Sequence, residues 1–137
     1  PRSGGFARLR GRLPRPVAGQ TVLGFGLVTD PRTRLKIPSS GVTLSAPAGA
    51  PVRAVAPGTV RFAGPAAGSQ VVVVDHGRDY YTVTAHLRDV RAQPGAELAA
   101  GGVIGRVGRD PFRDAPGIYF EIRRGSVPLD PARWLSR

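Results

Sequence analysis

His76 and His86 are the two imidazoles of a 137-residue chain that has no cysteine. Metal-assisted chemistry would have to start from them, joined by a carboxylate such as Asp75. A catalytic zinc takes three protein ligands and keeps a fourth position open for water. Asp75-His76-Gly77 closes a run of four valines at 71–74. His76 therefore follows a strand at a glycine turn, a place that suits a structural histidine. The second constellation is Gly117-Ile118-Tyr119-Phe120-Glu121-Ile122-Arg123. Residues two apart in a strand share a face. Gly117, Tyr119, Glu121 and Arg123 then point one way, while Ile118, Phe120 and Ile122 point into a core. A phenol, a carboxylate and a guanidinium side by side form a surface for directional contact. Tyr and Arg are favoured anchors of protein interfaces, each joining a large contact area to a polar tip. The bland alternative is that Arg123 simply pairs with Glu121.

These side chains need a scaffold, and the composition limits what it can be. The length suits one domain with a modest core. Nineteen Gly, fourteen Pro and 7% aromatics argue for short elements joined by tight turns rather than long helices. Strands are expected near 21–27, 41–45, 52–56, 58–63, 70–76, 79–86, 103–107 and 117–123, separated by Gly, Pro or Asp. The valine run reads as a strand buried on both faces. Only Pro131-Ala132-Arg133-Trp134-Leu135 reads as helical, with Asp130 as its cap and Pro131 in its first turn. The basic, proline-broken stretch 1–16 reads as an extended lead-in, and 17–137 as the domain. Residues 50–60 and 95–108 share a rhythm in which a turn introduces an apolar pair and glycine opens a corner. That echo suggests two hairpin layers folded over one another. The fold class is all-β: a compact β-sandwich or barrel-sandwich of short antiparallel strands with minimal helix.

The net charge of +11 comes from twenty bases, of which only Lys36 is a lysine, against nine acids. It points to a partner of anionic character (nucleic acid, cell-wall polymer or an acidic protein face) or to a well-solvated surface. A nucleic-acid binder interleaves aromatics with bases on a sheet face. Tyr80-Tyr81 is the one aromatic doublet, and alternation turns one of the pair inward, so nucleic acid is not expected as a partner. No run reaches the eighteen or more apolar residues of a membrane span, and no signal peptide is visible.

Several short strings carry a family resemblance in order along residues 13–137. They are Leu13-Pro14-Arg15-Pro16-Val17-Ala18-Gly19 with Phe25-Gly26, then Gly41 to Val52, Ala56-Pro57-Gly58-Thr59-Val60, and Val71 to Gly77. Thr84-Ala85-His86-Leu87, Val103-Ile104-Gly105-Arg106-Val107-Gly108 and Tyr119-Phe120-Glu121-Ile122-Arg123 complete the set. Together they resemble the LytM or M23 family of zinc-dependent murein endopeptidases, which implies that family's compact β fold with a central groove. Active members take a His and an Asp from His-x-Gly-x-Asp, and a second ligating His from His-x-His. Those three ligand positions are Ser39, Thr43 and Tyr119 here. One assisting His position is Gly117, and only His86 survives of the pair. Neutral hydroxyls ligate weakly, and without the ion nothing lowers the pKa of water from about 16 towards 7. The resemblance thus implies no metal, no cofactor and no peptidase activity. His86 is left either as a groove residue in ordinary hydrogen bonds or in some active role.

The final Tyr119 to Arg124 and Pro131 to Leu135 strings resemble the non-catalytic EnvC-type murein hydrolase activators of the family. In that branch the groove binds a periplasmic N-acetylmuramoyl-L-alanine amidase and relieves its self-inhibition during cell division. Carried over by motif position, the partner-binding residues are Thr43, Tyr119 and Arg123, with Ser39 and His86 as weaker neighbours. A periplasmic location follows by the same resemblance. The activators usually carry a coiled coil ahead of this domain, and that segment and any membrane regulator lie outside this chain. The main alternative is a peptidoglycan-binding module that activates nothing. A lipoyl-type carrier shares Ala-Pro-Gly-Thr-Val, but Lys36 in Arg34-Leu35-Lys36-Ile37-Pro38 lacks the surroundings of a modified lysine.

Overall fold

The structure, a computed structural model, describes residues 5–30 and 32–136. Its strands are β1 (Gln20–Leu23), β2 (Gly26–Thr29), β3 (Lys36–Ser39), β4 (Val42–Ser45), β5 (Pro51–Arg53), β6 (Gly58–Ala66) and β7 (Ser69–Gly77). They continue with β8 (Tyr80–Ala85), β9 (Leu87–Arg88), β10 (Glu97–Leu98), β11 (Val103–Val107), β12 (Arg109–Asp110), β13 (Ala115–Arg124) and β14 (Val127–Leu129). The main sheet runs β1-β4-β13-β8-β7-β6-β10, with β12 and β14 also paired to β13. β5, β11 and β9 form a second, three-stranded sheet, and β2 with β3 a separate hairpin. All pairings between these strands are antiparallel. The fold is all-β, as the composition and the strand pattern require.

The core sits on one face of the main sheet. Leu44, Val60, Val72, Ile118 and Ile122 are completely buried, and Phe120 nearly so. Val52 and Val107 of the second sheet are buried to the same degree and join the same cluster. In the valine run, Val72 and Val74 face this core, whereas Val73 on the other side keeps partial exposure.

The rhythm shared by residues 50–60 and 95–108 has a structural meaning. Each stretch hydrogen-bonds to the other in reciprocal fashion. Ala54 N–H donates to Gly102 O and Gly101 N–H donates to Ala54 O, both at 2.8 Å; Val60 N–H donates to Ala96 O at 2.9 Å and Gly95 N–H to Val60 O at 2.8 Å. β5 pairs with β11, and β6 with β10.

Three local expectations differ from the structure. The expected strand at 21–27 is two strands, because the chain leaves the main sheet after Leu23 and re-pairs as β2 with β3. The C-terminal helix is a single 3-10 turn, Pro131–Arg133, with the Asp130 carboxylate accepting from Ala132 N–H at 3.0 Å. The expected extended run over 1–16 is instead a packed segment in its described part. Ala7–Leu9 form a 3-10 turn, Leu13 bridges to Leu135, and Phe6 and Leu13 are 4% and 0% exposed.

Burial of these apolar side chains overrides the extended bias of an arginine- and proline-rich stretch. The Phe6 ring lies 4.7 Å from His76, 5.0 Å from Tyr80 and 5.1 Å from Trp134, centroid to centroid. Removing it leaves a cavity among three rings, and Phe-to-Ala changes in cores cost about 3–5 kcal/mol. Phe6→Ala should therefore lower the unfolding free energy by about 3 kcal/mol or more in a denaturant titration. A change within about 0.5 kcal/mol, usual for a surface site, would show that the N-terminal segment stands off the domain.

Candidate partner-binding groove

β13 is paired on both edges, and Tyr119 marks the point where three strands come into register. Thr43 of β4 lies opposite it on one side and Ala85 of β8 on the other. Leu23 of β1 extends the row beyond Thr43. Thr43 is buried and Tyr119 half-buried, between two small side chains that leave room for a phenol.

The Tyr119 hydroxyl donates to Glu121 Oε2 at 2.6 Å, and Arg123 Nη1 donates to Glu121 Oε1 at 2.9 Å. Arg123 Nη2 donates to Ser126 O at 2.6 Å. One carboxylate thus holds a phenol and a guanidinium in a line along the outer face of β13. Burial pushes the Tyr119 pKa well above its ordinary value, and the Glu121 hydrogen bond and charge add to the rise. The phenol is a neutral donor.

Ser39 stands on the β2–β3 hairpin, where its hydroxyl donates to Gly41 O at 2.8 Å. Gly41 brings this turn against β13: a Cβ there would meet Glu121 Cγ at 2.9 Å as well as the Phe120 carbonyl. Thr43, Tyr119 and Arg123 therefore share one strip of sheet, with Ser39 on the turn packed beside it.

His86 is placed differently. It follows β8 with φ +67°, its N–H donates to Ser69 Oγ at 2.6 Å, and its Nδ1 lies 3.1 Å from the same oxygen. The Phe112 ring meets it edge-on at 6.3 Å. Together with Gln70, Arg109 and Asp114 it lines an open cavity of about 510 Å³. Burial lowers its pKa against the opposing pull of Asp110.

His76 belongs to the aromatic cluster. Its Nδ1 is 2.8 Å from Pro57 O and its Nε2 2.8 Å from Thr82 Oγ1, an arrangement in which Nδ1–H donates and Nε2 accepts. Asp75 is occupied by Arg61 at 3.0 Å and by Gly77 N–H at 2.9 Å. A metal set built from His76, His86 and Asp75 would have to break each of these contacts.

Sequence reasoning overlooked Asp110 and Arg113. Asp110 is 2% exposed; its Oδ1 accepts from Phe112 N–H at 2.9 Å and its Oδ2 from Arg113 Nε at 3.0 Å. Arg113 Nη2 also donates to Pro116 O at 3.2 Å. The signal was local: an Asp whose side chain accepts from the backbone two residues on, closing a turn. The guanidinium lies over Gly117, where a Cβ would meet Arg113 Nη2 at 3.1 Å and Leu44 O at 2.8 Å.

An antiparallel β domain whose groove floor is set by β4, β13 and β8 is the frame of the LytM-type peptidases. The model of peptidase family M23 matches residues 38–131, and the chain belongs to this family. It is 37% identical over 132 residues to the uncharacterized protein NMB1333 of Neisseria meningitidis serogroup B, covering 96% of this chain and 21% of that one. It is 33% identical over 137 residues to the murein hydrolase activator EnvC of Escherichia coli, covering 99% of this chain and 32% of that one. The DD-carboxypeptidase/endopeptidase Mpg of Neisseria meningitidis is also similar, 33% identical over 93 residues, covering 67% of this chain and 21% of that one. Among solved structures, Helicobacter pylori Csd3 superposes with a TM-score of 0.77 at 25% identity, over 91% of this chain and 35% of that one. The chain spans between a fifth and a third of the length of these curated relatives.

The family's zinc does not fit the side chains present. The Tyr119 phenol is kept protonated and already donates to Glu121, the Ser39 hydroxyl is turned to Gly41 O, and Thr43 offers a neutral hydroxyl. None supplies the imidazole nitrogen or carboxylate that a zinc centre uses. Excess zinc should leave the thermal midpoint unchanged. A ligand at a hundred times its Kd would add about 2.7 kcal/mol, so an upward shift of several degrees would sink this reading.

His76 supplies a pH test. Desolvation by burial lowers its pKa from 6.5, outweighing the Pro57 hydrogen bond and the Asp75 charge. As pH falls through 6.5, the unfolded chain takes up a proton that the native ring refuses. The stability tied to the neutral ring is therefore full above that value and lost as pH drops towards the depressed folded pKa. Unfolding free energy should decline between about pH 7.5 and pH 5.5, and more gently in His76→Asn. Equal slopes in chemical denaturation would show that His76 does not titrate as a buried neutral group.

Proposed function

We propose that this domain is a non-catalytic LytM factor that binds and activates a cell-wall amidase, and so regulates peptidoglycan hydrolysis in the bacterial envelope. The observation that carries the reading is the Tyr119–Glu121–Arg123 line beside Thr43. Where active relatives would present metal ligands, this face presents a half-buried phenol and a half-buried guanidinium ordered by one carboxylate. Such pre-ordered Tyr and Arg side chains lose little conformational freedom on binding a protein partner. Likeness to a murein hydrolase activator along 99% of this chain supports the same conclusion.

The domain would act by contacting the open form of the amidase better than the closed one, which shifts that enzyme's equilibrium towards activity. Thr43, Tyr119 and Arg123 are the central contacts, with Ser39 at the rim and His86 on the neighbouring cavity wall. The envelope setting makes the periplasm the place of action. The competing reading, a module that binds peptidoglycan without activating anything, draws on the +11 charge and the open cavity beside His86.

Dye release from labelled sacculi by a zinc-loaded amidase of the same organism, with and without this domain, tests the proposal. Stimulation is expected, with no release by the domain alone. Tyr119→Ala and Arg123→Ala should each weaken amidase binding by about thirtyfold, the scale of an interface hot spot. No stimulation, with retention on sacculi, would favour the peptidoglycan-binding reading. Release by the domain alone would overturn the non-catalytic assignment.

A further inference from the structure

Five exposed arginines gather at the seam where the two ends of the described chain meet. Arg8 lies in the N-terminal 3-10 turn with Arg10 and Arg12 just after it, Arg133 lies in the C-terminal one, and Arg124 ends β13; all five are exposed. The seam is tied by Leu13 N–H donating to Trp134 O at 3.1 Å and Ser136 N–H to Leu13 O at 2.7 Å. The Arg10 guanidinium sits 5.8 Å above the Trp134 ring and that of Arg124 5.4 Å above Tyr80. Those two rings are themselves in contact, with centroids 5.5 Å apart. The turn around Gly11 approaches the Arg133 carbonyl, which sets Arg10 and Arg12 beside Arg133.

Ring faces hold two of these guanidinium groups in place without neutralising them. The ion pairs among the described residues use other arginines: Arg61, Arg109, Arg113 and Arg123. Two carboxylates border the patch. Asp130 is committed to capping Ala132 N–H, and Asp79 lies against Gly125 beside Arg124. The patch keeps a net positive charge after both are counted.

We propose that this seam is a docking surface for an anionic phospholipid bilayer. A planar guanidinium fork matches phosphate oxygens and is weakly hydrated, so it gives up water readily on contact. None of the five arginines lines the cavity beside His86 or the one beside Pro47. Five exposed arginines spread over two turns and a strand end suit an extended charged surface, whereas a glycan or peptide strand is taken by a concave site. Trp134 and Tyr80 are 5% and 9% exposed, so the patch offers no free ring face on which a nucleic-acid base can stack. Buried rings likewise argue for contact at the headgroup level without insertion. This inference is independent of the amidase proposal, because the groove residues Thr43, Tyr119 and Arg123 take no part in it.

Co-sedimentation of the whole chain with vesicles of phosphatidylethanolamine and phosphatidylglycerol, against vesicles of phosphatidylcholine alone, tests it. Binding is expected only to the anionic vesicles and should weaken as salt is raised. Each arginine near such a surface contributes about a fivefold gain in partitioning. The pair Arg10→Gln and Arg124→Gln should therefore reduce binding by about tenfold or more. Arg34→Gln with Arg91→Gln, which removes the same charge outside the patch, should have a much smaller effect. Thermal melts show whether each variant remains folded, and Arg133→Gln with Arg12→Gln gives a second patch variant that leaves both cation–ring contacts intact. Equal losses from the patch and control pairs would reduce the effect to net charge and overturn the proposal. Failure to bind anionic vesicles, with or without retention on purified sacculi, would overturn it as well.

Discussion

Strand β13 has a neighbour on each edge, and the rest of the groove depends on that constraint. Pairing with β4 through Gly117–Phe120 and with β8 through Tyr119–Arg124 fixes its register from both sides. A slip of one residue would carry Tyr119, Glu121 and Arg123 into the apolar layer and expel Ile118, Phe120 and Ile122. The core side chains, each 1% exposed or less, make that slip prohibitive. The polar line on the outer face is thus positioned by hydrophobic packing on the inner one. Its members then need only short hydrogen bonds to one another to be fully ordered.

The same packing ties the groove to its neighbours beyond Ser39, Thr43 and Tyr119. Gly117 is pressed against the Leu44 carbonyl and lies close to the Arg113 guanidinium, so a side chain there would require backbone movement in β4 and a small shift of Arg113. Gly41 is confined in the same way by Glu121 and the Phe120 carbonyl. The close approach of the 39–41 turn to β13 and the hydrogen bonding of Glu121 to Tyr119 and Arg123 form one arrangement. The site is a packed polar surface in its own right.

Much of this was legible in the sequence because β13 alternates strictly and its polar residues fall on one side. The family frame was legible because its short motifs stand in order. The β2–β3 hairpin was not, for a physical reason: Leu27 and Leu35 are 70% and 64% exposed, and only the apolar cross-strand pair Val28 and Ile37 is partly buried, too little apolar face for alternation to report. Pro38 within β3 further reads as a strand breaker, although it pairs here with Leu27. The packed N-terminal segment was hidden differently. Phe6 and Leu13 are buried by Trp134, Tyr80 and Leu135, more than sixty residues away in every case, and no local pattern encodes such a contact. Asp110 and Arg113 stand outside the strand alternation, in a turn closed by the Asp110 side chain, a readable but purely local signal.

Arginine shows why composition alone underdetermines a surface like this one. A formal charge of +11 treats every guanidinium alike, yet the structure gives them distinct surroundings. Arg113 is half-sequestered against a buried carboxylate and supports the floor beneath Gly117. Arg123 shares Glu121 with a phenol and faces the groove. Arg10 and Arg124 rest on ring faces and form no ion pair among the described residues. Arginines of the last kind contribute most to the field at long range, because a contacting carboxylate cancels most of the potential of the others. Association with an anionic surface therefore depends on where unpaired arginines gather, and the aromatic cluster gathers them at the terminal seam. Phe6 links the two halves of the argument: it packs Trp134 and Tyr80 into the core, and the guanidinium groups that cover those rings gain their fixed positions from it.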